Sequence, residues 1–142
     1  MNIKKILFST DFSHTGDAAL AMATALARDS GATILIVHVE EPPAAYGNGE
    51  MYYGMMETAT EELKIMLKDV VPKDPNVAFE HRLISGDPAT AISRLAESEG
   101  VDMIILGTHG RTGLMRAVMG SVAEAIVRHA ACPVLTFKQP NK

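Results

Sequence analysis

One short stretch combines glycines, arginines and a helix start that together suit the binding of an anion. The run Gly107-Thr108-His109-Gly110-Arg111-Thr112-Gly113 is followed by the pair Gly120-Ser121. Glycines allow unusual backbone angles and let the main chain approach a ligand closely, and the first N–H groups of a helix have no intrahelical partner. Arg111 and Arg116 add positive charge, and no acidic residue lies between Gly107 and Ser121. The stretch therefore predicts a phosphate-type site at a strand–turn–helix junction.

Ser121 has two interpretations, which can coexist. Ser121 and Glu124 fit the S-x-x-E capping box, so the serine is a candidate N-cap. A hydroxyl at a helix start can equally contact a phosphate. The stretch is not a Walker A loop, because it lacks G-x-x-x-x-G-K-[ST] and has no lysine between Gly107 and Ser121, and it is not G-x-G-x-x-G.

The elements that must position this stretch alternate regularly along the chain. Apolar, β-branched runs predict strands, and apolar residues at helical spacing predict the helices between them. Gly31 is expected as a left-handed C-cap, Asp87 as an N-cap and Pro88 at the first helical position. The predicted strands are 3–8, 33–39, 77–84, 101–106 and 134–137, and the predicted helices are about 15–29, 51 or 54–70, 88–100 and 122–130. Such alternation predicts an α/β domain with a parallel sheet covered on both faces.

Asp11 follows the first predicted strand and also has two interpretations. It can form an Asx-turn or cap after the strand, or its carboxylate can accept hydrogen bonds from a ribose hydroxyl. Open parallel sheets bind ligands at the carboxyl ends of the strands where the strand order reverses. If the first and fourth strands are neighbours, Thr10 and Asp11 face the Gly107 loop, and the end of the second strand near Val39 borders the same crevice.

Length and composition bound the classes of function. The 142 residues predict a single domain, residues 1–142, and the formal net charge of −4 argues against a general nucleic-acid binder. No apolar run approaches the roughly 20 residues that cross a bilayer, so no membrane association is expected. Asp11 interrupts the first apolar run, so no signal peptide is expected, and the cytoplasm is the default compartment. Cys132 is the only cysteine, and the five histidines show no metal-ligand spacing.

The spacing Gly107-x2-Gly110-x9-Gly120-Ser121 resembles the nucleotide-binding signature of the universal stress protein family. Four further segments also resemble motifs of this family, so the resemblance covers nearly the whole chain. They are the run 107–114, Ser9-Thr10-Asp11-Phe12-Ser13, Gly86-Asp87-Pro88 and the segment from Ser121 through Val134. It implies a three-layer α/β fold of the adenine nucleotide alpha hydrolase-like type. In that fold an open parallel five-stranded sheet of order 3-2-1-4-5 carries two helices on each face.

The resemblance also implies a ligand and a partner. The ligand is ATP (or ADP or AMP), a triphosphate being ordinarily accompanied by Mg²⁺. By similarity, Asp11 holds the ribose and the backbone at Val39 holds the adenine. The family pairs its last strands across a two-fold axis, which implies a homodimer through Val134, Leu135, Thr136 and Phe137. The full set of nucleotide-binding candidates is Thr10, Asp11, Val39, Gly107, Thr108, His109, Gly110, Arg111, Gly113, Gly120, Ser121 and Val122.

Three classes of function remain open from the sequence. The favoured one is a cytoplasmic ATP-binding regulatory module of the stress response, with at most slow hydrolysis, because no catalytic residue set is evident. An enzyme that cleaves or transfers a nucleotidyl group is the alternative, although Asp11-Phe12-Ser13-His14 stands where an H-x-G-H element is expected. The third is an interaction protein whose glycine loop is purely structural. The segment 40–54, rich in proline and glycine, is either a variable surface excursion or a lid.

Overall fold

The fold is a parallel sheet with helices on both faces. The computed structural model describes residues 2–41, 50–108 and 119–138, and for residues 50–58 it describes the backbone alone. The strands are β1 Lys5–Ser9, β2 Thr33–Glu40, β3 Phe79–Ser85, β4 Met103–Gly107 and β5 Val134–Phe137. The helices are α1 Asp17–Ser30, α2 Glu50–Lys68, α3 Pro88–Ser98 and α4 Ser121–His129, and a 3-10 turn, His14–Gly16, precedes α1. The α/β alternation expected from the sequence is therefore confirmed.

The strand order is β3-β2-β1-β4-β5, and all neighbouring strands are parallel. The chain builds outward from β1 to β2 and β3, crosses back to place β4 beside β1, and finishes with β5 at the other edge. The predicted order 3-2-1-4-5 is confirmed. The order in which strands are added to the sheet reverses between β1 and β4. These two strands are parallel, and Ile6, Leu7 and Phe8 pair with Met103, Ile104 and Ile105.

Side chains on alternate residues of the central strands form two separate apolar layers. Ile6, Phe8, Ile34 and Ile36 are buried against α1, with Leu67 of α2 in the same cluster. Leu7, Leu35 and Val37 are buried against α3 and α4 on the opposite face. The arrangement of two helices on each face, expected from the sequence, is confirmed. Because both faces of the inner strands are covered, these strands are almost uniformly apolar.

Helix α1 lies close to the sheet because its buried residues are small. Ala19, Ala23 and Ala27 are at most 2% exposed, and they pack over the large side chains of β1 and β2. Gly31 ends the helix at φ 78°, ψ 13°, the left-handed C-cap expected from the sequence.

Capping at α3 also follows the sequence. Asp87 is the N-cap, its carboxylate accepts a hydrogen bond from the Thr90 N–H at 3.1 Å, and Pro88 is the first helical residue. This hydrogen bond lowers the pKa of Asp87. Several element ends differ from the predicted ones by a few residues: β3 begins at Phe79, α2 ends at Lys68, and α1 begins at Asp17 because the 3-10 turn takes the preceding residues.

Asp102 joins the amino ends of β1 and β4. Its Oδ2 accepts hydrogen bonds from the Lys4 and Lys5 N–H groups at 2.8 and 3.0 Å. These two bonds hold the pKa of Asp102 below its ordinary value. Strands β1 and β4 are thus joined at their amino ends. The ligand site is expected at their opposite, carboxyl ends.

Candidate functional site

The carboxyl ends of β1 and β4 lie side by side, as the sequence interpretation required. The paired residues of the two strands end with Phe8 opposite Ile105. Continued by two residues, it sets Thr10 beside Gly107. In parallel sheets such a reversal point leaves a crevice above the strand ends. The structure therefore brings the residues after β1 and the residues after β4 to the same end of the sheet.

Asp11 forms the turn that follows β1. Its Oδ1 accepts a hydrogen bond from the Ser13 N–H at 3.0 Å and another from the Ser13 hydroxyl at 2.5 Å. The first of the two predicted roles, an Asx-turn, is therefore observed. The turn is extended by a hydrogen bond between the hydroxyls of Ser13 and Thr15. The carboxylate of Asp11 is thus held in a fixed direction at the strand end.

Val39 lies at the end of β2 with its main chain directed toward the β1 side of the strand. Within β2, the residues that bond to β1 and those that bond to β3 alternate. The Thr33 N–H and the Val37 carbonyl bond to the β1 side, and the Glu40 carbonyl accepts from Gly86 on the β3 side. By this alternation the main chain of Val39 faces the β1 side. Strand β1 does not reach Val39, because it ends at Ser9 and the next residue, Thr10, donates its N–H to the Val37 carbonyl.

Gly107 ends β4 where two segments of main chain come closest. A Cβ at this position would lie 3.1 Å from the Thr15 carbonyl oxygen and 3.9 Å from the Gly16 Cα. The predicted strand 101–106 is thus observed as 103–107, with Gly107 as its last residue. The structure adds that a Cβ here would crowd the main chain of the 3-10 turn before α1.

The loop after β4 leaves and returns at one point. The Gly120 N–H donates to the Thr108 carbonyl at 2.6 Å, and the Thr108 N–H donates to the Phe137 carbonyl at 2.9 Å. Thr108 is 5% exposed, and Met119 packs on the cluster beneath α3 and α4. Whatever conformation residues 109–118 adopt, both of their ends are fixed beside the carboxyl end of β4.

Helix α4 begins at this fixed point, one residue earlier than the capping-box interpretation requires. Gly120 is the N-cap, with φ −62° and ψ 153°, and its carbonyl accepts the Glu124 N–H at 2.9 Å. Ser121 is the first helical residue and not the cap, so that interpretation was wrong. The Glu124 carboxylate instead binds Arg128 at 2.7 Å. The N–H groups of Ser121 and Val122 open the helix at the same end of the sheet, where the helix dipole favours negative charge.

Four of the predicted nucleotide-binding residues, His109, Gly110, Arg111 and Gly113, lie outside the described residues, as does most of the segment considered as a lid, 42–49. The structure places Thr10, Asp11, Val39, Gly107, Thr108, Gly120, Ser121 and Val122 at the carboxyl end of the sheet. The strand proposed for dimerisation, β5, is the edge strand beside β4, and all four of its residues are partly exposed.

Three further properties concern the thiol, metal binding and the helices of the described residues. Burial raises the pKa of the Cys132 thiol, which makes it less reactive. Among the residues that the structure describes, no group of three or more histidine, cysteine, aspartate and glutamate side chains could hold a metal ion. A helix with the length and hydropathy of a membrane span is likewise absent from this described part of the chain.

One contact at this end of the sheet was not predicted. The ring of Phe12 lies 4.3 Å, centroid to centroid, from the ring of His38, and the His38 Nδ1 lies 2.7 Å from the Thr10 carbonyl oxygen. From the sequence, His38 was only one of five histidines without metal-ligand spacing. The available signal was a single imidazole within the apolar run of β2, next to the residue expected to border the crevice.

Comparison with known proteins gives a consistent family. A family model described as the universal stress protein family matches residues 2–138. Universal stress protein MJ0577 of Methanocaldococcus jannaschii is 30% identical over 156 residues, which cover 97% of this chain and 96% of that protein. Its solved structure superposes with a TM-score of 0.86 at 32% identity, and the match covers 100% of both chains.

Two solved structures with this fold carry adenine nucleotides. A universal stress protein in complex with cAMP matches with a TM-score of 0.66 at 21% identity, over 99% of this chain and 100% of that one. The universal stress protein from Archaeoglobus fulgidus in complex with dAMP matches with a TM-score of 0.59 at 22% identity, over 96% of this chain and 98% of that one. At these identities the likeness shows a shared fold.

Proposed function

This chain belongs to the universal stress protein family, and on that premise we propose that it binds an adenine nucleotide, with ATP as the first candidate. The observation that carries the proposal is the meeting of β1, β4 and the start of α4 at the reversal of strand order. Two proteins of the same fold hold cAMP and dAMP, which supports adenine nucleotides as the ligand class.

Each part of the proposed ligand has chemistry to receive it. The main chain of Val39, directed toward the space beyond β1, recognises the edge of the adenine ring. Asp11 accepts hydrogen bonds from the ribose, and Thr10 fixes the turn that carries it. The phosphates meet the N–H groups at the start of α4, together with the fixed ends of the loop at Gly107, Thr108 and Gly120. The loop itself supplies His109, Gly110, Arg111 and Gly113, and Mg²⁺ accompanies a bound triphosphate.

In this proposal the protein is a regulatory module, not a fast enzyme. Hydrolysis needs a positioned water, an orienting group and charge stabilisation at the γ-phosphate. The described residues at this end of the sheet offer Asp11, whose Oδ1 is already engaged with Ser13. We therefore expect steady-state phosphate release well below about 1 s⁻¹, the low end of ordinary enzyme rates. We also propose that the module acts in the cytoplasm as a homodimer.

Gly120 provides the decisive test of the phosphate end. Its angles, φ −62° and ψ 153°, suit any residue, so Gly120→Val should fold normally. The valine side chain would stand at the mouth of α4 and keep phosphates from the first N–H groups. Losing two charge-assisted hydrogen bonds, worth about 1.5–3 kcal/mol each, should weaken ATP binding by about 100-fold or more in titration calorimetry. Val127→Ala, at an exposed position two turns further along the same helix, is the matched control and should bind as well as wild type.

Asp11→Asn tests the ribose end. Asparagine also forms the Asx-turn with Ser13, so the local structure is retained while the charged acceptor is lost. We expect ATP affinity to fall by about tenfold, while Asp17→Asn on the first turn of α1 leaves it unchanged. If wild-type protein shows neither binding heat nor a rise in melting temperature at millimolar ATP, the proposed function is wrong.

A further inference from the structure

Phe12 has a backbone conformation that its side chain disfavours. Its φ is 69°, and within the described residues it is the only residue other than glycine with a positive φ. The left-handed region brings Cβ close to the backbone, and for a bulky residue it marks a position held by its surroundings. Phe12 directly follows Asp11, so this strained residue sits within the turn assigned to the ribose. Strain of this kind is often found at functional sites.

Two side chains hold Phe12 in place. The Phe12 N–H donates to the Thr10 hydroxyl at 3.0 Å, which closes the backbone around Asp11. The Phe12 ring packs against the buried cluster beneath α1 and lies 4.3 Å from the His38 ring, inclined at 41°. The turn is therefore anchored from below by an aromatic contact with β2.

His38 holds the other side of the same turn. Its Nδ1 lies 2.7 Å from the Thr10 carbonyl oxygen, and because a carbonyl only accepts, Nδ1 must carry the proton. One imidazole thus binds the residue before Asp11 through a hydrogen bond and the residue after Asp11 through its ring. His38 also immediately precedes Val39, whose main chain is assigned to the adenine.

We propose that His38 and Phe12 are positioning residues that set the direction of the Asp11 carboxylate and couple it to the end of β2. The inference rests on the proposed function in so far as Asp11 contacts ribose. The His38 ring fixes the distance between the turn after β1 and the main chain of Val39. A nucleotide that engages both its base and its ribose then meets two preformed contacts at a fixed separation. The consequence is specificity for the ribose hydroxyls.

The test separates the hydrogen bond from the ring. His38→Phe keeps an aromatic ring against Phe12 and removes the donor, and His38→Asn keeps a side-chain donor near the same position and removes the ring. His81→Phe is the matched control. The Nε2 of His81 also lies 2.8 Å from a backbone carbonyl, that of Val70, and its ring lies 5.3 Å from Phe79, but this pair sits near the amino end of edge strand β3.

The first readout uses protein without nucleotide. In NMR spectra of wild type, the His38 ring should show a protonated Nδ1, and the amide protons of Phe12 and Ser13 should exchange slowly. We expect His38→Phe to shift these amide signals and speed their exchange, and His81→Phe to leave them unchanged. Unaltered signals for Phe12 and Ser13 in His38→Phe would overturn the inference, whether or not any nucleotide binds.

The second readout is the ratio of affinities for ATP and its 2′-deoxy and 3′-deoxy analogues, from calorimetry. Wild type should prefer ATP over at least one analogue by about tenfold, the worth of one hydrogen bond to a charged group. His38→Phe should bring the ratio of affinities to about one, and His38→Asn should restore part of the preference for ATP. His81→Phe should keep the preference of wild type while lowering the melting temperature. A loss of stability without a change in the ratio would mean that His38 is merely structural.

A pair of variants at position 12 tests the backbone directly. Glycine accepts the left-handed conformation without cost, whereas alanine does not. We therefore expect Phe12→Gly to keep more of the ribose preference than Phe12→Ala, and the reverse order would overturn the role of the backbone. If wild type binds no nucleotide, the proposed function fails, and the NMR comparison still decides whether His38 sets the turn.

Discussion

Gly107 lies where two segments of main chain approach so closely that they favour a residue without a side chain. The glycine lies at the end of β4, and the 3-10 turn before α1 crosses directly over it. Both segments belong to the candidate site, one after β1 and the other after β4. The absence of a side chain at Gly107 therefore sets how closely the two sides of the crevice approach each other.

Gly107→Ala should accordingly destabilise the protein. The new Cβ would lie 3.1 Å from the Thr15 carbonyl oxygen, a main-chain atom that can move only with its turn. We expect a loss of about 1–3 kcal/mol, the usual range for overpacking, from urea unfolding without nucleotide. Gly16→Ala is the control, because its Cβ would meet only the end of the Phe8 ring at 3.4 Å. Equal effects of the two substitutions would contradict this account.

At this scale the sequence predicts local turn chemistry better than it predicts contacts. The Asx-turn of Asp11, the cap at Asp87 and the left-handed Gly31 depend on neighbouring residues, and all three were expected. The contact between the rings of Phe12 and His38 joins residues 26 positions apart (38 − 12), and the bond from His38 to Thr10 joins residues 28 positions apart. They become visible only when β1 and β2 are paired, because no local rule selects phenylalanine for a left-handed position.

Helix α4 shows where a local rule gives the wrong boundary. The letters of the capping box are present at Ser121 and Glu124, yet the helix is capped by the backbone of Gly120. The Gly120 N–H is held by the Thr108 carbonyl, so the end of β4 decides where the helix begins. The contact between Gly120 and Thr108 has overridden the capping-box signal. As a result, the first N–H groups of α4 lie beside the carboxyl end of β4.

Helix α3 provides a prediction about pH. The pKa of Asp87 is lowered by its hydrogen bond to Thr90, so the folded state binds a proton there less readily than the unfolded chain. The stabilisation is therefore complete above the unfolded pKa, near 3.9, and is lost as the pH falls through the lower folded value. The melting temperature of Asp87→Ala should lie below that of wild type at pH 7, and the gap should narrow toward pH 3.

Asp87→Asn is the control for that experiment. Asparagine caps a helix about as well as aspartate but has no charge to lose, so its own capping should not change with pH. The difference between Asp87→Asn and Asp87→Ala should therefore stay constant from pH 7 to pH 3. A constant difference between wild type and Asp87→Ala over the same range would show that the charge of Asp87 contributes nothing to the cap.

At the scale of the whole molecule, predicting the sheet needed both the local alternation of elements and the family resemblance. Alternation along the chain predicted a parallel sheet with helices on both faces, since parallel strands need crossover helices. Alternation alone does not fix which strands are neighbours, and the order 3-2-1-4-5 came from the family resemblance. In the structure β4 pairs with β1 from Ile6 opposite Met103, and Asp102 joins the amino ends of these two strands.

The exposed edge of that sheet carries the proposal of a homodimer through Val134–Phe137. Main-chain bonds to β4 come from Pro133, which accepts from Ile104, and from Phe137, which accepts from Thr108. Since successive residues of a strand point their main-chain groups to opposite sides, Val134 and Thr136 direct theirs to the open edge. An unpaired edge of this kind is a template for a second strand, including one from another copy of the chain.

Thr136→Pro should therefore separate dimerisation from folding. Proline removes the Thr136 N–H, which faces the open edge, and leaves the bonds between β5 and β4 intact. We expect wild type to be a dimer at micromolar concentration by light scattering and Thr136→Pro to be a folded monomer. Leu135→Pro is the contrasting variant, because the main chain of Leu135 faces β4 and its loss should lower the melting temperature. A wild-type monomer, or a Thr136→Pro dimer of unchanged affinity, would exclude this edge as the interface.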